Sequence, residues 1–426
     1  VGRIGRRGFV VTAAAALTAL AAAGDAAATG RPGPAPRQGP GAPPGGPRAA
    51  GDFRGMWLAS VANRDWPSAP GLPAAEQRAE LLAYLDTAVD RRLNTVVFQV
   101  RPTADALWPS PHEPWSQYLT GTQGRDPGWD PLGTAVAEAH ARGLELHAWF
   151  NPYRVALHAD PSRLVASHPA RRHPEWVVPY GGKLYYNPGL PEVRSFVQDA
   201  MTDAVRRYDV DAVHFDDYFY PYPVAGERFD DDAAWERYGA GHPDRAAWRR
   251  ANTDLLIREM RERVRALKPG VRFGVSPFGV WRNAATDPLG SATRAGVQTY
   301  DDLHADTRAW VREGRIDYVV PQVYWHRGFA AADYDVLVDW WSEVAAGTGT
   351  DLYIGEALYK AGAAGQPAPW QDPAELSRHL TYAAGREEVA GHCFFSALEV
   401  RDDPVGAMAR VVADHYAGRT RGGRRH

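Results

Sequence analysis

A single (β/α)8 TIM barrel with long loops after its strands is the fold class the sequence predicts, and three observations predict it. Eight short apolar runs alternate with eight amphipathic stretches between Phe53 and Tyr416, the pattern of a parallel sheet wrapped by helices. No Gly-rich dinucleotide fingerprint follows the first run, which counts against the alternative, an open doubly wound sheet. Polar and aromatic residues gather just after each apolar run, where a barrel keeps its active site.

Size and composition fit this reading. The chain has 426 residues, 45% hydrophobic and 23% charged, enough to bury a large core. Its formal net charge is -3, from 48 basic and 51 acidic side chains. Such a balance gives no reason to expect nucleic acid or an acidic membrane surface as a partner. Fifteen Trp and 19 Tyr supply flat apolar faces for a core and for sugar rings. The lone cysteine, Cys393, excludes an internal disulfide and a cysteine-based zinc site. Its setting in HCFFSAL marks a small buried hydrophobe.

Residues 1–28 read as an export signal. Arg3, Arg6 and Arg7 precede the apolar run Phe9–Ala23, and Ala26-Ala27-Ala28 offers a small-residue cleavage site. The string RRGF resembles a twin-arginine signal. The apolar run is short for a membrane span, so a secreted or cell-wall-associated protein with no membrane anchor after signal removal is expected. Residues 29–51 are rich in Pro and Gly and read as a disordered linker. The folded domain is expected over 52–418, followed by a basic tail at 419–426.

Along the domain, strands are expected within Phe53–Val61, Thr95–Val100, Leu144–Phe150, Val210–Phe215, Val271–Phe278, Ile316–Tyr324, Leu352–Leu358 and Val389–Ala397. Helices are expected over Ala74–Arg91, Pro131–Arg142, Pro191–Arg207, Ala246–Leu267, Asp302–Glu313, Tyr334–Ala346, Pro373–Ala384 and Pro404–Tyr416. Several start at Pro or Asp, and two stop before Gly143 and Gly314, as helix ends prefer.

The stretch DAVHFDDYFYPY, Asp211–Tyr222, stands out. A strand runs straight into two adjacent carboxylates, Asp216 and Asp217. Faces alternate along a strand, so polar His214 and Asp216 share the lumen face. Val213 and Phe215 then face the helices, and Asp217 is expected at the rim. Carboxylates at the end of a buried strand are costly unless paired, solvated or used.

FRGMWLASVANRDWPS, VVFQVRPTADALWPS, PWSQYLTGTQG, HAWFNPYR, YYNPGLPEVR, VHFDDYFYP, VVPQVYW, LYIGEALYK and CFFSALE occur in that order. Together they resemble the glycosyl-hydrolase-like family ten of bacterial secreted barrel proteins over roughly residues 52–415. The resemblance implies a glycoside hydrolase fold. It also implies, as substrate, the glycan strands of peptidoglycan from which peptides have been removed. Other readings are a hydrolase of another hexosamine or glucan polymer, and a non-catalytic glycan-binding barrel.

Glycoside hydrolysis needs two carboxyl groups at the scissile bond. Asp216 is the first candidate and Asp217 the second, with Glu356 after the seventh strand and Asp105 after the second as possible partners. A chitinase-like DxxDxDxE strand motif is incomplete here, since His214 and Tyr218 replace two of its acids. Candidate sugar contacts are Gln99, Asn151 and Gln322 through paired donors and acceptors. Arg101, Arg154 and Lys360 are candidates through charge, and Trp149, Tyr153, Tyr218, Trp281, Tyr324, Trp325 and Tyr359 through their rings. His214 is expected to orient Asp216. No HExxH and no HxH on the first strand occur, so neither a metal nor an organic cofactor is expected. Asp230-Asp231-Asp232 is a candidate calcium loop and, alternatively, a solvated acidic one.

Overall fold

The computed structural model describes residues 53–418. The expected export signal, the linker and the basic tail lie outside the described residues. Eleven strands occur among them: β1 (Phe53–Leu58), β2 (Thr95–Arg101), β3 (Glu145–Phe150), β4 (Arg154–Ala156), β5 (Val177–Tyr180), β6 (Lys183–Tyr186), β7 (Ala212–Phe215), β8 (Arg272–Val275), β9 (Tyr318–Val319), β10 (Asp351–Glu356) and β11 (Val389–Phe395).

Eight of them close a parallel barrel in the order β1-β11-β10-β9-β8-β7-β3-β2. All eight expected strands are present, each shorter than or close to its apolar run. The run Ile316–Tyr324 keeps only two residues as strand. Beyond Val319 the chain passes Pro321, which lacks the N–H a ladder needs, and Gln322 then makes isolated bridges to Phe278 and Gly355. The remaining three strands form a small antiparallel sheet, β4-β6-β5, inside the β3–β7 connection. The long helices lie where expected, as in Ala74–Asp90, Pro191–Arg207 and Arg245–Leu267. Thr299–Asp302 and Thr307–Arg312 split the expected Asp302–Glu313 helix. No helix of the described residues is long and apolar enough to cross a membrane.

The barrel lumen is packed with rings from different strands. Phe53 stacks on Tyr353 at 3.9 Å between ring centroids, and Tyr318 lies 5.4 Å from His147 and 5.9 Å from His214. Above them Trp57 donates its indole N–H to His214 Nε2 at 3.2 Å. Gly274 on β8 leaves room for this layer: a Cβ there would lie 2.2 Å from the Tyr318 ring. Cys393 is fully buried.

Candidate active site at the end of β7

The carboxyl end of β7 delivers two acids into a cage built by its neighbours. Because β7 pairs with β3 in register, Trp149 opposite His214, the residues ending β3 reach Asp216. Trp149 Nε1 donates to Asp216 Oδ2 at 3.1 Å. Asn151 Nδ2 donates to both Asp216 oxygens, at 3.1 and 3.2 Å. The other end of the Asn151 amide is also fixed, since its Oδ1 accepts the backbone N–H groups of Tyr153 and Arg154. Arg154 lies over the Tyr218 ring at 4.3 Å.

Asp216 is 3% exposed. Burial, with the charge of Asp217 second, raises its pKa to about 8, against the opposing pull of Arg154, Trp149 and Asn151. Asp217 is raised to about 6, again by burial, and hydrogen bonds from Tyr222 and Gln322 oppose the rise. The two neighbours therefore titrate apart, one a neutral acid and one a carboxylate at neutral pH.

Asp217 is corrected in position. It is not a rim residue but 3% exposed, with the Tyr222 hydroxyl donating to it. Tyr222, five residues further on, brings its hydroxyl back onto Asp217. Sequence reading missed Tyr222 as a site residue, although the YFYPY run carries the signal. Gln322 also donates to the Ser276 carbonyl and hydroxyl oxygens, at 3.0 and 3.2 Å, and ties β7's acids to the ends of β8 and β9.

His214 shares the lumen, but its ring nitrogens face Trp57 and Tyr318. It belongs to the ring layer and does not hydrogen-bond Asp216.

The two candidate partner acids lie inside hydrogen-bonded clusters of their own. Glu356 is fully buried and held on three sides: Tyr334 Oη at 2.7 Å, His379 Nδ1 at 2.9 Å and His392 Nδ1 at 3.0 Å. Burial alone would raise its pKa; the two histidines overcome that and hold it at about 2. A carboxylate so anchored cannot shuttle a proton to a sugar. Asp105 Oδ1 accepts the backbone N–H and the hydroxyl of Thr103, at 3.1 and 3.0 Å, two residues back along its own loop.

Four expected sugar contacts are internal supports. Arg101 is fully buried, forked onto Glu113 at 2.6 and 3.0 Å, and donates to the Asn151 and Pro152 carbonyls. Gln99 Oε1 accepts the N–H groups of Ser60 and Val61. Tyr153 is fully buried. Trp281 is 4% exposed, donates to Asp306 and packs on Trp340. The acidic run at 230–232 is bound by arginines: Asp231 by Arg245 and Arg249, Asp232 by Arg228 and Arg245.

The opposite wall of the mouth is aromatic. Tyr324, Tyr359 and Phe395 meet in pairs at 5.8–6.2 Å, and half-buried Trp325 packs edge-on against Phe278. Lys360 donates to the Tyr324 carbonyl at 2.7 Å. At the β1–β11 seam lies a cluster that sequence reading did not rank. The Ser396 hydroxyl is 2.6 Å from Asp65 Oδ1 and 3.0 Å from Glu399 Oε2, and Arg64 forks onto Glu399. Burial raises the Asp65 pKa to about 6, opposed by Arg64. Among the described residues no group of three or more His, Cys, Asp or Glu is placed to hold a metal ion.

Comparison with known proteins decides the family. The model for Glycosyl hydrolase-like 10 matches residues 52–372. The chain belongs to this family. It is 50% identical over 368 residues to glycosyl hydrolase YngK of Bacillus subtilis, covering 86% of this chain and 72% of that one. To glycosyl hydrolase DigH of Escherichia coli K12 it is 42% identical over 363 residues, 80% of this chain and 82% of that one. Among solved structures, the PgaB glycoside hydrolase domain of Bordetella bronchiseptica superposes with a TM-score of 0.54 at 12% identity, over 85% of this chain and 99% of that one. An α-L-fucosidase of Paenibacillus thiaminolyticus gives 0.51 at 13% identity; the match covers 86% of this chain and half of the fucosidase, 50%. These two establish the (β/α)8 fold alone.

Proposed function

We propose that this protein is a secreted glycoside hydrolase that cleaves a cell-wall polysaccharide, peptide-free glycan strands of peptidoglycan, with Asp216 and Asp217 as its acid–base machinery. One observation carries the reading: two adjacent carboxyls sit at the end of β7 with their pKa values separated, at about 8 and about 6. That separation assigns acid and base roles. The named hydrolases YngK and DigH, at 50% and 42% identity, support the reaction class.

Neutral Asp216 gives its proton to the bridging oxygen as the C1–O bond breaks. Ionised Asp217 stabilises the positive charge that develops on the ring carbon and oxygen. Water adds to C1, its hydroxyl completing the new sugar end and its proton returning to the carboxyl pair. Two neighbouring anions repel, so the pair regains that proton readily. Trp149 and Asn151 hold the Asp216 carboxyl in place throughout.

The test is release of fragments from purified peptide-free glycan strands, with chitin, poly-glucosamine and starch beside them. Fragments are expected from the peptide-free strands, with loss of at least about 100-fold in D216N, as for removal of a general acid. Cleavage of starch alone, or D216N at wild-type rate, overturns the reading. Strands bound without turnover would make the protein a glycan-binding barrel.

A further inference from the structure

The charged groups around the mouth are mostly matched. Arg64 has Glu399 at 2.9 Å and Arg101 has Glu113 at 2.6 Å. Lys360 is placed differently. It closes the short turn Leu358–Lys360 that follows β10 and is half-buried. Its ammonium donates to the Tyr324 carbonyl at 2.7 Å and lies 5.7 and 5.8 Å from the ring centroids of Tyr359 and Trp370. No carboxylate approaches it within ion-pair distance among the described residues, and burial alone acts on its pKa, lowering it to about 8. An ammonium has three donors, and the carbonyl takes one. Holding a cation in a half-buried aromatic setting without an anion costs free energy, which a bound anion would offset.

The place of Lys360 connects it to the acid pair. Tyr324, whose carbonyl it holds, lies two residues beyond Gln322, a hydrogen-bond partner of Asp217, and the Asp217 charge acts on the Tyr324 hydroxyl. The Tyr324 and Tyr359 rings meet edge to face with centroids 5.8 Å apart, beside the Lys360 ammonium. We propose that Lys360 is the receptor for a carboxylate carried by the substrate: a sugar ring rests against Tyr324 and Tyr359, and its acidic side group meets the Lys360 ammonium. This rests on the glycan-hydrolase reading and narrows its substrate class to polymers whose amino sugar bears a free carboxylate. In a bacterial wall strand that carboxylate is on the lactyl ether. A peptide attached there turns the anion into a neutral amide and adds bulk. Lys360 therefore discriminates peptide-free from peptide-bearing strands by charge at this one point.

The test separates this inference from the hydrolase reading. Peptide-free strands are prepared with free carboxylates and with the same groups converted to methylamides. Binding is measured by titration calorimetry to D216N, which leaves the strands intact. The free-carboxylate strands are expected to bind about tenfold more tightly, the scale of one charge-assisted hydrogen bond. D216N/K360M and D216N/K360Q are expected to bind the two forms equally, and D216N/K360R to recover part of the preference. Equal binding of both forms by D216N, a comparison that needs no change at Lys360, overturns the proposal. So does a preference that survives in both the Met and the Gln variants. Turnover is read independently with the unaltered chain. If no strand is cut while the preference and its loss stand, the hydrolase reading falls and the Lys360 site remains. If both forms are cut with equal kcat/KM, the Lys360 proposal falls and the hydrolase reading remains.

Discussion

The indole N–H of Trp149 donates to Asp216 Oδ2 at 3.1 Å, so the last lumen ring of β3 opposes the burial that keeps the first acid after β7 protonated. That bond favours the charged form of Asp216 and works against burial, which favours the neutral one. W149F removes the donor and keeps an aromatic ring. The Asp216 pKa is expected to rise further, moving the alkaline limb of the kcat/KM profile to higher pH, while kcat falls about tenfold through loss of positioning. An unmoved alkaline limb would show that Asp216 is not the group that limb reports.

The acid pair itself predicts a bell-shaped profile. Asp217 must be ionised and Asp216 protonated, so kcat/KM is expected to rise through pH about 6 and fall through pH about 8. D217N is expected to remove the acid limb along with most of the activity. A profile flat from pH 5 to 9 in the wild type would exclude this assignment; those bounds are chosen about one unit outside the two limbs.

The same shift acts on stability. Asp216 has a folded pKa above its ordinary value of 3.8. Its protonated form is favoured by the fold, so its contribution is complete below pH 3.8 and is lost as pH rises toward 8. D216N stays neutral and is expected to melt above the wild type by at least about 2 °C at pH 8. The difference is expected to shrink toward zero at pH 4, in a thermal unfolding series. A variant less stable than wild type at pH 8 would contradict the cost of that buried charge.

Much of this architecture was legible because the barrel repeats one simple pattern. Each apolar run becomes a strand, and the residues just beyond it reach the mouth, as Asp216, Asn151 and Tyr324 do. Alternation along β7 placed His214 and Asp216 toward the lumen. What stayed hidden was pairing between distant segments. Nothing local to LYIGEALYK says that Glu356 meets His379 from a helix and His392 from β11. Nothing near Arg101 says that Glu113 returns to meet it. A strict alternation argument puts Asp217 at the rim, but β7 ends at Phe215, after which the period of two no longer holds. The small β4-β6-β5 sheet was missed for a related reason: its strands have three or four residues, too few to show a period.

The Glu356 clamp gives a stability prediction distinct from catalysis. Glu356 is held below its ordinary value of 4.5, at about 2, so its contribution is present above pH 4.5 and lost as pH falls toward 2. His379 is raised above its ordinary value of 6.5: burial opposes the charge, and Glu356 and Glu375 overcome it. Its contribution is present below pH 6.5 and lost as pH rises through the raised value. The two windows overlap between pH 4.5 and 6.5. E356Q removes the anion that His379 and His392 share and leaves only Glu375 beside His379, a cost of about 3–5 kcal/mol. The gap in melting temperature between wild type and E356Q is therefore expected to be widest in that window and to narrow on either side, with the pH limbs of kcat/KM unmoved. If E356Q instead erased one limb, Glu356 would be back among the reacting groups. If the gap were constant with pH, the loss would come from packing and not from the charge pair.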